Sequence, residues 1–365
     1  MIKILIVDDS ALMRKLLRGI FEEEGDFVIE TARNGKEAIE KNLSFQPDVI
    51  TLDINMPEMD GITALAHIMT TRPVPVVMVS SLTTEGALAT FEALNLGAVD
   101  YVAKPGGTIS LNIEQIKGEL VAKVRSAARA KLRTKTLVRK LREEREKILK
   151  PSPPKEVSPK EVSADERLVL IGVSTGGPRT LEEILPELPK DFPMPVIVAQ
   201  HMPPTFTKSF AERLNSICEL NVVEVDRPMP IEPGTIYIGK GGTDVVLARR
   251  AKKLIVQPKP ENPSFLWHPS VEILGRSALE HCDPQKIIAV MLTGMGYDGA
   301  DAFTEIKKRG GKTIAESEES AVVFGMPREL IERGGATVVL PAEKIAKQLI
   351  KWAKKTMYQE VRNAD

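Results

Sequence analysis

Cysteine is nearly absent from this chain: Cys218 and Cys282 are the only two among 365 residues. They build no disulfide framework and are expected to be reduced, partly buried thiols, as in a protein of the reducing cytosol. Long apolar runs are missing too. No stretch approaches the roughly 20 residues that cross a bilayer, and the apolar residues 1–7 are too few for a signal peptide. Membrane insertion is therefore set aside, and a cytoplasmic location is expected. Net charge is also absent, 50 Lys and Arg standing against 50 Asp and Glu. Histidine is scarce, with four in all, which narrows the search for an acid–base group.

The zero balance hides an asymmetry. Residues 1–105 carry 9 basic and 16 acidic side chains, residues 106–150 carry 13 and 5, and residues 166–365 carry 26 of each. A basic segment suits nucleic acid only with interleaved aromatics, which 106–150 lacks, so no nucleic-acid partner is expected. Its basic face is read as solvated, or as partly neutralising the acidic segment before it.

The length and the 42% apolar content suit two domains with full cores. In the first half, apolar β-branched runs at 2–7, 27–31, 48–54, 75–80 and 98–103 alternate with helical periodicity at 11–24, 35–45, 61–70 and 83–96. Such alternation predicts a parallel sheet with helices on both faces. One long helix is expected over 111–149. Residues 150–163 repeat Pro154–Ser158 as Pro159–Ser163 and read as an extended, mobile linker. Beyond it, the runs 168–173, 196–199 and 287–292 predict strands buried on both faces, and 234–257 an antiparallel hairpin attached to their sheet. Helices are expected over 205–215, 271–280, 298–309 and 343–354. The proposed organisation is 1–105, a linker over 106–165, a second domain over 166–356, and a tail over 357–365.

Asp8 and Asp9 follow the first strand, Asp53 ends the third, Ser80 closes the fourth and Lys104 the fifth. In an open parallel sheet these strand ends meet at one edge. Three carboxylates so placed repel one another unless a cation shares them, and hard oxygen ligands suit Mg²⁺. With Lys104 opposite and the Ser80 hydroxyl nearby, the pocket suits a phosphoryl group transferred onto a carboxylate. Helix capping accounts for one Asp but not for the whole set. Leu5-Ile6-Val7-Asp8-Asp9-Ser10, Leu52-Asp53-Ile54-Asn55-Met56-Pro57-Glu58-Met59-Asp60-Gly61 and Ala103-Lys104-Pro105 resemble the response-regulator receiver family. The resemblance implies a flavodoxin-like fold with Asp53 as phosphoacceptor. It further implies Asp8, Asp9, Asp53 and the Asn55 carbonyl around Mg²⁺, with Ser80, Tyr101 and Lys104 as the switch residues.

Three segments of the second half each put one member of a hydrolytic triad just past an apolar run: Gly172-Val173-Ser174-Thr175-Gly176-Gly177-Pro178, Gln200-His201-Met202-Pro203-Pro204 and Thr293-Gly294-Met295-Gly296-Tyr297-Asp298-Gly299. A serine hydroxyl needs a histidine to take its proton and a carboxylate to hold that histidine. His67 and His281 fall in helical stretches, whereas His201 follows an apolar strand. The order Ser, His, Asp differs from that of α/β-hydrolases and argues for another fold converging on the same geometry. Two alternatives stay open: a Gly-rich phosphate cradle at 172–178, and a structural role in which Ser174 and Asp298 cap the helices that follow them.

Together with Ala199–Pro204 and Val323-Phe324-Gly325-Met326-Pro327, these segments resemble the chemotaxis CheB methylesterase family, as does the order receiver, linker, catalytic domain. The resemblance implies a Rossmann-like second domain in which Ser174 is nucleophile, His201 base and acid, and Asp298 its orienting carboxylate. Met295 N–H would be an oxyanion donor, with Thr175 beside Ser174 and no cofactor for the ester chemistry. The implied substrates are glutamyl methyl esters on the cytoplasmic helices of chemoreceptors, the implied phosphodonor a chemotaxis histidine kinase. An amide presents a similar acyl centre, so glutamine deamidation is open to the same site. Control is expected to be steric, the unphosphorylated receiver covering the Ser174 cleft. The chain departs from the family pattern at His268 and Glu272, where Arg and Asp are usual, and at Asp244, where His is common.

Overall fold

The computed structural model describes residues 1–80, 83–104, 113–132 and 166–363, with side chains at all of these except 84–85, 113–116 and 355–363. The chain divides into two compact units, Met1–Pro151 and Ser152–Asp365. The Pro-rich repeat, the expected linker apart from residues 113–132, and the end of the tail lie outside the described residues.

The first unit alternates β1 (Ile2–Val7), α1 (Ala11–Glu24), β2 (Phe27–Ala32), α2 (Gly35–Ser44), β3 (Val49–Asp53), α3 (Gly61–Thr71), β4 (Val76–Ser80), α4 (Thr84–Leu96), β5 (Asp100–Ala103) and α5 (Ile113–Ala127). The strands form one parallel sheet in the order β2-β1-β3-β4-β5. All five residues of β3 and of β4 are buried, as expected of central strands covered on both faces. Helix starts follow local capping chemistry: Ser10, Asn34, Asp60 and Thr83 each accept a first-turn N–H.

Within the span expected as one helix, 111–149, the described helix ends at Ala127, where the last turn tightens through Arg129 N–H to Ser126 O and Ala130 N–H to Ala127 O; residues 133–149 lie outside the described residues. Leu120, Val121, Val124 and Ala127 are its buried face. The sheet-facing stripe is spent there, because the next positions on it, Ala128 and Lys131, offer little to bury. This helix lies past the expected boundary at 105, yet its apolar face belongs to the first sheet's core. Its basic residues do pair with the acidic unit. Lys117 meets Glu23, Arg125 meets Glu24 and Asp26, and Lys123 meets Asp100.

In the second unit, β6 (Leu168–Val173), β7 (Val196–Gln200), β8 (Asn221–Val225), β10 (Thr235–Gly239), β13 (Ile287–Met291), β14 (Lys312–Glu316) and β15 (Val338–Leu340) form a seven-stranded sheet. Its order is β15-β14-β13-β6-β7-β10-β8, parallel throughout. The flanking helices are α6 (Gly177–Ile184), α7 (Pro204–Ile217), α8 (Val271–His281), α9 (Ala300–Lys308), α10 (Met326–Glu332) and α11 (Ala342–Asn363). Residues 234–257 do not form a single hairpin on this sheet. The buried run Thr235–Gly239 joins it in parallel, while β11 (Thr243–Arg250) and β12 (Lys253–Pro260) pair antiparallel and make a separate sheet with β9 (Met229–Pro230). The Gly241-Gly242 turn between them lets the chain change sheets, with Gly242 at φ +69°. Leu170, Ile197, Ala289 and Phe303 centre the core; truncating Leu170 to Ala would cost about 2–5 kcal/mol.

Candidate active site

The strand order makes neighbours of three distant segments. β6 lies between β13 and β7, so the loops leaving these strands at their C-terminal edge emerge side by side and carry Asp298, Ser174 and His201. The register ties them closely: Val173 pairs with Gln200 and Met291 with Gly172. His201 N–H donates to Val173 O at 3.2 Å, Ser174 N–H to Thr293 O at 2.9 Å, and the Gln200 amide to Ser174 O at 3.0 Å. Gly294 sits so close that an added Cβ would stand 2.8 Å from the Ser174 Cβ.

His201 Nε2 lies 2.8 Å from Asp298 Oδ2, with the two side chains 7% and 3% exposed. Burial alone would raise the Asp298 pKa. The His201 hydrogen bond and charge, with the N–H groups of Val271 and Glu272, outweigh it and hold the carboxyl below its ordinary value. Oδ1 also accepts the Ser270 hydroxyl at 2.9 Å. The ionised carboxylate thus sits at the N-terminus of α8, where the helix dipole favours negative charge. Asp298 caps this helix and not α9, whose N-cap is Gly299. Likewise α6 starts from Gly176, so Ser174 is not its cap.

An ionised acceptor fixes the proton of a neutral His201 on Nε2. Nδ1 then carries the lone pair, and it is buried with no hydrogen-bond partner among the described residues. An orphaned buried acceptor costs about 1–3 kcal/mol and asks for a reason. No hydrogen bond joins it to the Ser174 hydroxyl here; such bonds commonly tighten only with substrate bound.

Around the crevice, Thr293 ties three loops, donating to Thr175 O at 2.9 Å and accepting the Val323 N–H at 2.9 Å, while its N–H meets Glu316 at 2.7 Å. Gly294 O accepts the N–H groups of Gly325 and Met326. The Met295 N–H makes no backbone hydrogen bond among the described residues. Thr175 is 3% exposed. Ser174 N–H and Gly177 N–H are both spent on carbonyls, which weakens the phosphate-cradle alternative. Sequence reasoning missed Trp267, whose ring stacks on His201 at 5.9 Å and 10°, and Tyr297, edge-on to Trp267 at 5.5 Å. The one sequence signal for Trp267 was rarity, since the chain has two tryptophans. Ser270 was legible as a helix N-cap, but its bond to Asp298 spans 28 residues and no local pattern encodes it.

In the first unit, Lys104 Nζ lies 2.9 Å from Asp8 Oδ2 and 2.8 Å from Asp53 Oδ2. Asp8, Asp9 and Asp53 offer ligand atoms within 4.8 Å of one another; Asp9 is exposed and the other two buried. Burial raises the Asp53 pKa, and Lys104 opposes this without cancelling it. A buried, partly compensated carboxylate with an exposed one beside it fits a hard divalent cation. Gly61 is required here, for an added Cβ would fall 1.9 Å from Asp53 O. Asn55 is exposed just after β3. The Ser80 hydroxyl donates to Gly86 O at 3.2 Å. Tyr101 is 2% exposed and lies under the Lys123 ammonium.

Comparison with known proteins identifies the family of each unit. A family model described as CheB methylesterase matches residues 169–349, and one described as response regulator receiver domain matches 4–113. A protein-glutamate methylesterase/protein-glutamine glutaminase of Rhodospirillum rubrum is 56% identical, the alignment covering 98% of this chain and 97% of that one. A relative of the same description from Caldanaerobacter subterraneus is 54% identical over 96% of each. Among solved structures, the CheB methylesterase catalytic domain of Thermotoga maritima matches 52% of this chain and 100% of its own at 44% identity, with a TM-score of 0.50. The chain belongs to the CheB methylesterase family, with a response-regulator receiver domain ahead of its esterase domain.

Proposed function

We propose that this chain hydrolyses the γ-methyl esters of glutamate side chains on chemoreceptor helices, under control of phosphorylation at Asp53. The observation that carries the reading is the Nε2 bond of His201 to an ionised Asp298, which turns the unpartnered Nδ1 toward base chemistry beside the β6 tip.

Ser174 Oγ attacks the ester carbonyl while His201 Nδ1 takes its proton. The oxyanion accepts the Met295 N–H; one such donor is worth about two to three orders of magnitude in kcat. As the tetrahedral intermediate collapses, Nδ1–H protonates the departing methoxide and methanol leaves. Water, deprotonated by Nδ1, then attacks the acyl-enzyme, and Ser174 recovers its proton as glutamate is released. An amide follows the same route with ammonia leaving, so deamidation belongs to the same proposal. Exposed Leu266 and Tyr297 beside Trp267 give the crevice an apolar rim suited to a helical substrate.

In the receiver, Asp8, Asp9, Asp53 and the Asn55 carbonyl would hold Mg²⁺. Bound there, the ion would offset the negative charge of phosphoryl transfer. Asp53 would accept the phosphoryl group from a chemotaxis histidine kinase, with Ser80 and Lys104 bonding its oxygens and Tyr101 following the switch.

Methanol release from methylated receptor tests the reading, comparing the chain with Ser174→Ala. Loss of a triad serine lowers kcat by about six orders of magnitude. Equal release by the variant would refute it.

A further inference from the structure

Two of the three positions at which this chain departs from the family pattern, Asp244 and His268, turn out to be each other's partner. Asp244 is the second residue of β11 in the small antiparallel sheet and is 1% exposed. Its Oδ1 lies 2.8 Å from His268 Nδ1 and accepts the Ser270 N–H at 2.8 Å, while Oδ2 accepts the Asn262 N–H at 2.9 Å. One carboxylate therefore clasps both ends of the 262–270 loop and the His268 side chain within it. His268 Nε2 faces Phe265 O at 3.2 Å, and His268 O accepts the Met202 N–H at 3.4 Å, tying the loop to the segment that follows His201.

We propose that Asp244 is a positioning residue for the esterase, pinning the 262–270 loop so that Trp267 lies flat on the His201 imidazole and Ser270 reaches Asp298. The inference rests on the triad reading above. Trp267 also fits closely against Gly296 (φ +85°), where an added Cβ would stand 2.7 Å from the indole. The Ser270 hydroxyl donates to Asp298 Oδ1 at 2.9 Å. The clasp thus reaches the general base by two routes, one on its face and one through its carboxylate partner. A rigid aromatic wall keeps the imidazole plane fixed while Nδ1 exchanges its proton, and misplacing a catalytic group by about 1 Å can cost about 100-fold in rate. An unclasped loop would leave His201 hinged on the single Asp298 bond.

The test uses the full chain with Trp352→Phe as background, so that Trp267 is the sole tryptophan. The substrate probe is a synthetic helical peptide bearing a glutamate γ-methyl ester, with Mg²⁺ and acetyl phosphate present. Asp244→Ala is expected to lower kcat by about 10- to 100-fold with KM changed less than about threefold. Its Trp267 emission should shift to the red and become more accessible to acrylamide. Asp244→Asn keeps the Oδ1 acceptor and should recover most of kcat and the parent emission. Circular dichroism reports whether each variant is folded, and the fluorescence readout needs no turnover. A folded Asp244→Ala with parent kcat overturns the proposal, as does a kcat loss with Trp267 emission and accessibility unchanged. A parent chain whose hydrolysis is unaffected by Ser174→Ala refutes the triad reading instead, and leaves the emission to decide whether Asp244 holds the loop.

Discussion

Asp298 holds His201 through Nε2 at 2.8 Å while accepting the N–H groups of Val271 and Glu272 at 2.7 and 3.0 Å. The proposed general base and the first turn of α8 hang on one side chain. The imidazole is also mounted opposite to the familiar serine-protease arrangement, in which Nδ1 faces the acid and Nε2 the serine.

This orientation predicts a tautomer. Nitrogen-15 NMR of neutral His201 should show the proton on Nε2, and Asp298→Asn, which offers an amide in place of a pure acceptor, should disturb it. The same variant should lose about four orders of magnitude in kcat while remaining folded. A neutral Nδ1–H form in the parent chain would contradict the assignment.

Gly294 lies against Ser174, the proposed nucleophile. Gly294→Ala would place a Cβ 2.4 Å from Met326 Sδ and 2.8 Å from the Ser174 Cβ. Met326 can swing aside, but Ser174 is fixed by backbone hydrogen bonds. We expect kcat to fall at least about 100-fold from misplacement of the serine. Folding should cost about 1–3 kcal/mol for overpacking. Steady-state kinetics with thermal melts checks both, and a variant with parent kcat would show more slack at the β6 tip than the geometry allows.

Asp53 carries a stability signature. Burial lifts its pKa above the ordinary carboxylate value of 3.8, and neighbouring Asp8 adds to the rise against the pull of Lys104. The folded unit therefore binds this proton more tightly than the unfolded chain. Its contribution favours folding below the ordinary value and is lost as pH rises through the lifted one. At neutral pH the charge is a net cost, so Asp53→Asn in metal-free buffer should raise the first unit's Tm, at about 4–8 °C per kcal/mol. The gain should shrink as pH falls toward the lifted value. Calorimetry checks this, and a lower Tm for the variant at neutral pH would contradict it.

The cysteines should be inert in the native chain. Cys282 is 8% exposed, and burial pushes its thiol up to about 12, with Arg249 opposing. Cys218 is 4% exposed. Since the thiolate is the nucleophile, a disulfide-exchange reagent at pH 8 should label neither until denaturant is added. Rapid labelling of the native protein would contradict the burial.

Much of this molecule is legible in its sequence because buried parallel strands leave continuous apolar runs. Leu168–Val173 and Ala11–Glu24 match their expected bounds residue for residue, and the loops that end β6, β7 and β13 carry the three candidate catalytic groups. The polar or short strands β8, β14 and β15 escaped notice, since a run such as Lys312–Glu316 shows little contrast with its surroundings. The helix that opens the span expected over 111–149 ends at Ala127, where its sheet-facing stripe runs out, a limit set by tertiary packing and not by propensity. Asp244 and His268 could be flagged as unusual, but their pairing across 24 residues is a property of the folded chain. The Trp267 stack on His201 likewise depends on the space left at Gly296.

The most direct measurement is a rapid acid quench of the chain turning over a γ-methyl ester peptide, followed by peptide mapping. The account predicts an acyl adduct confined to Ser174 and absent from His201→Ala. An adduct on another side chain, or turnover that persists with Ser174 replaced, would contradict it.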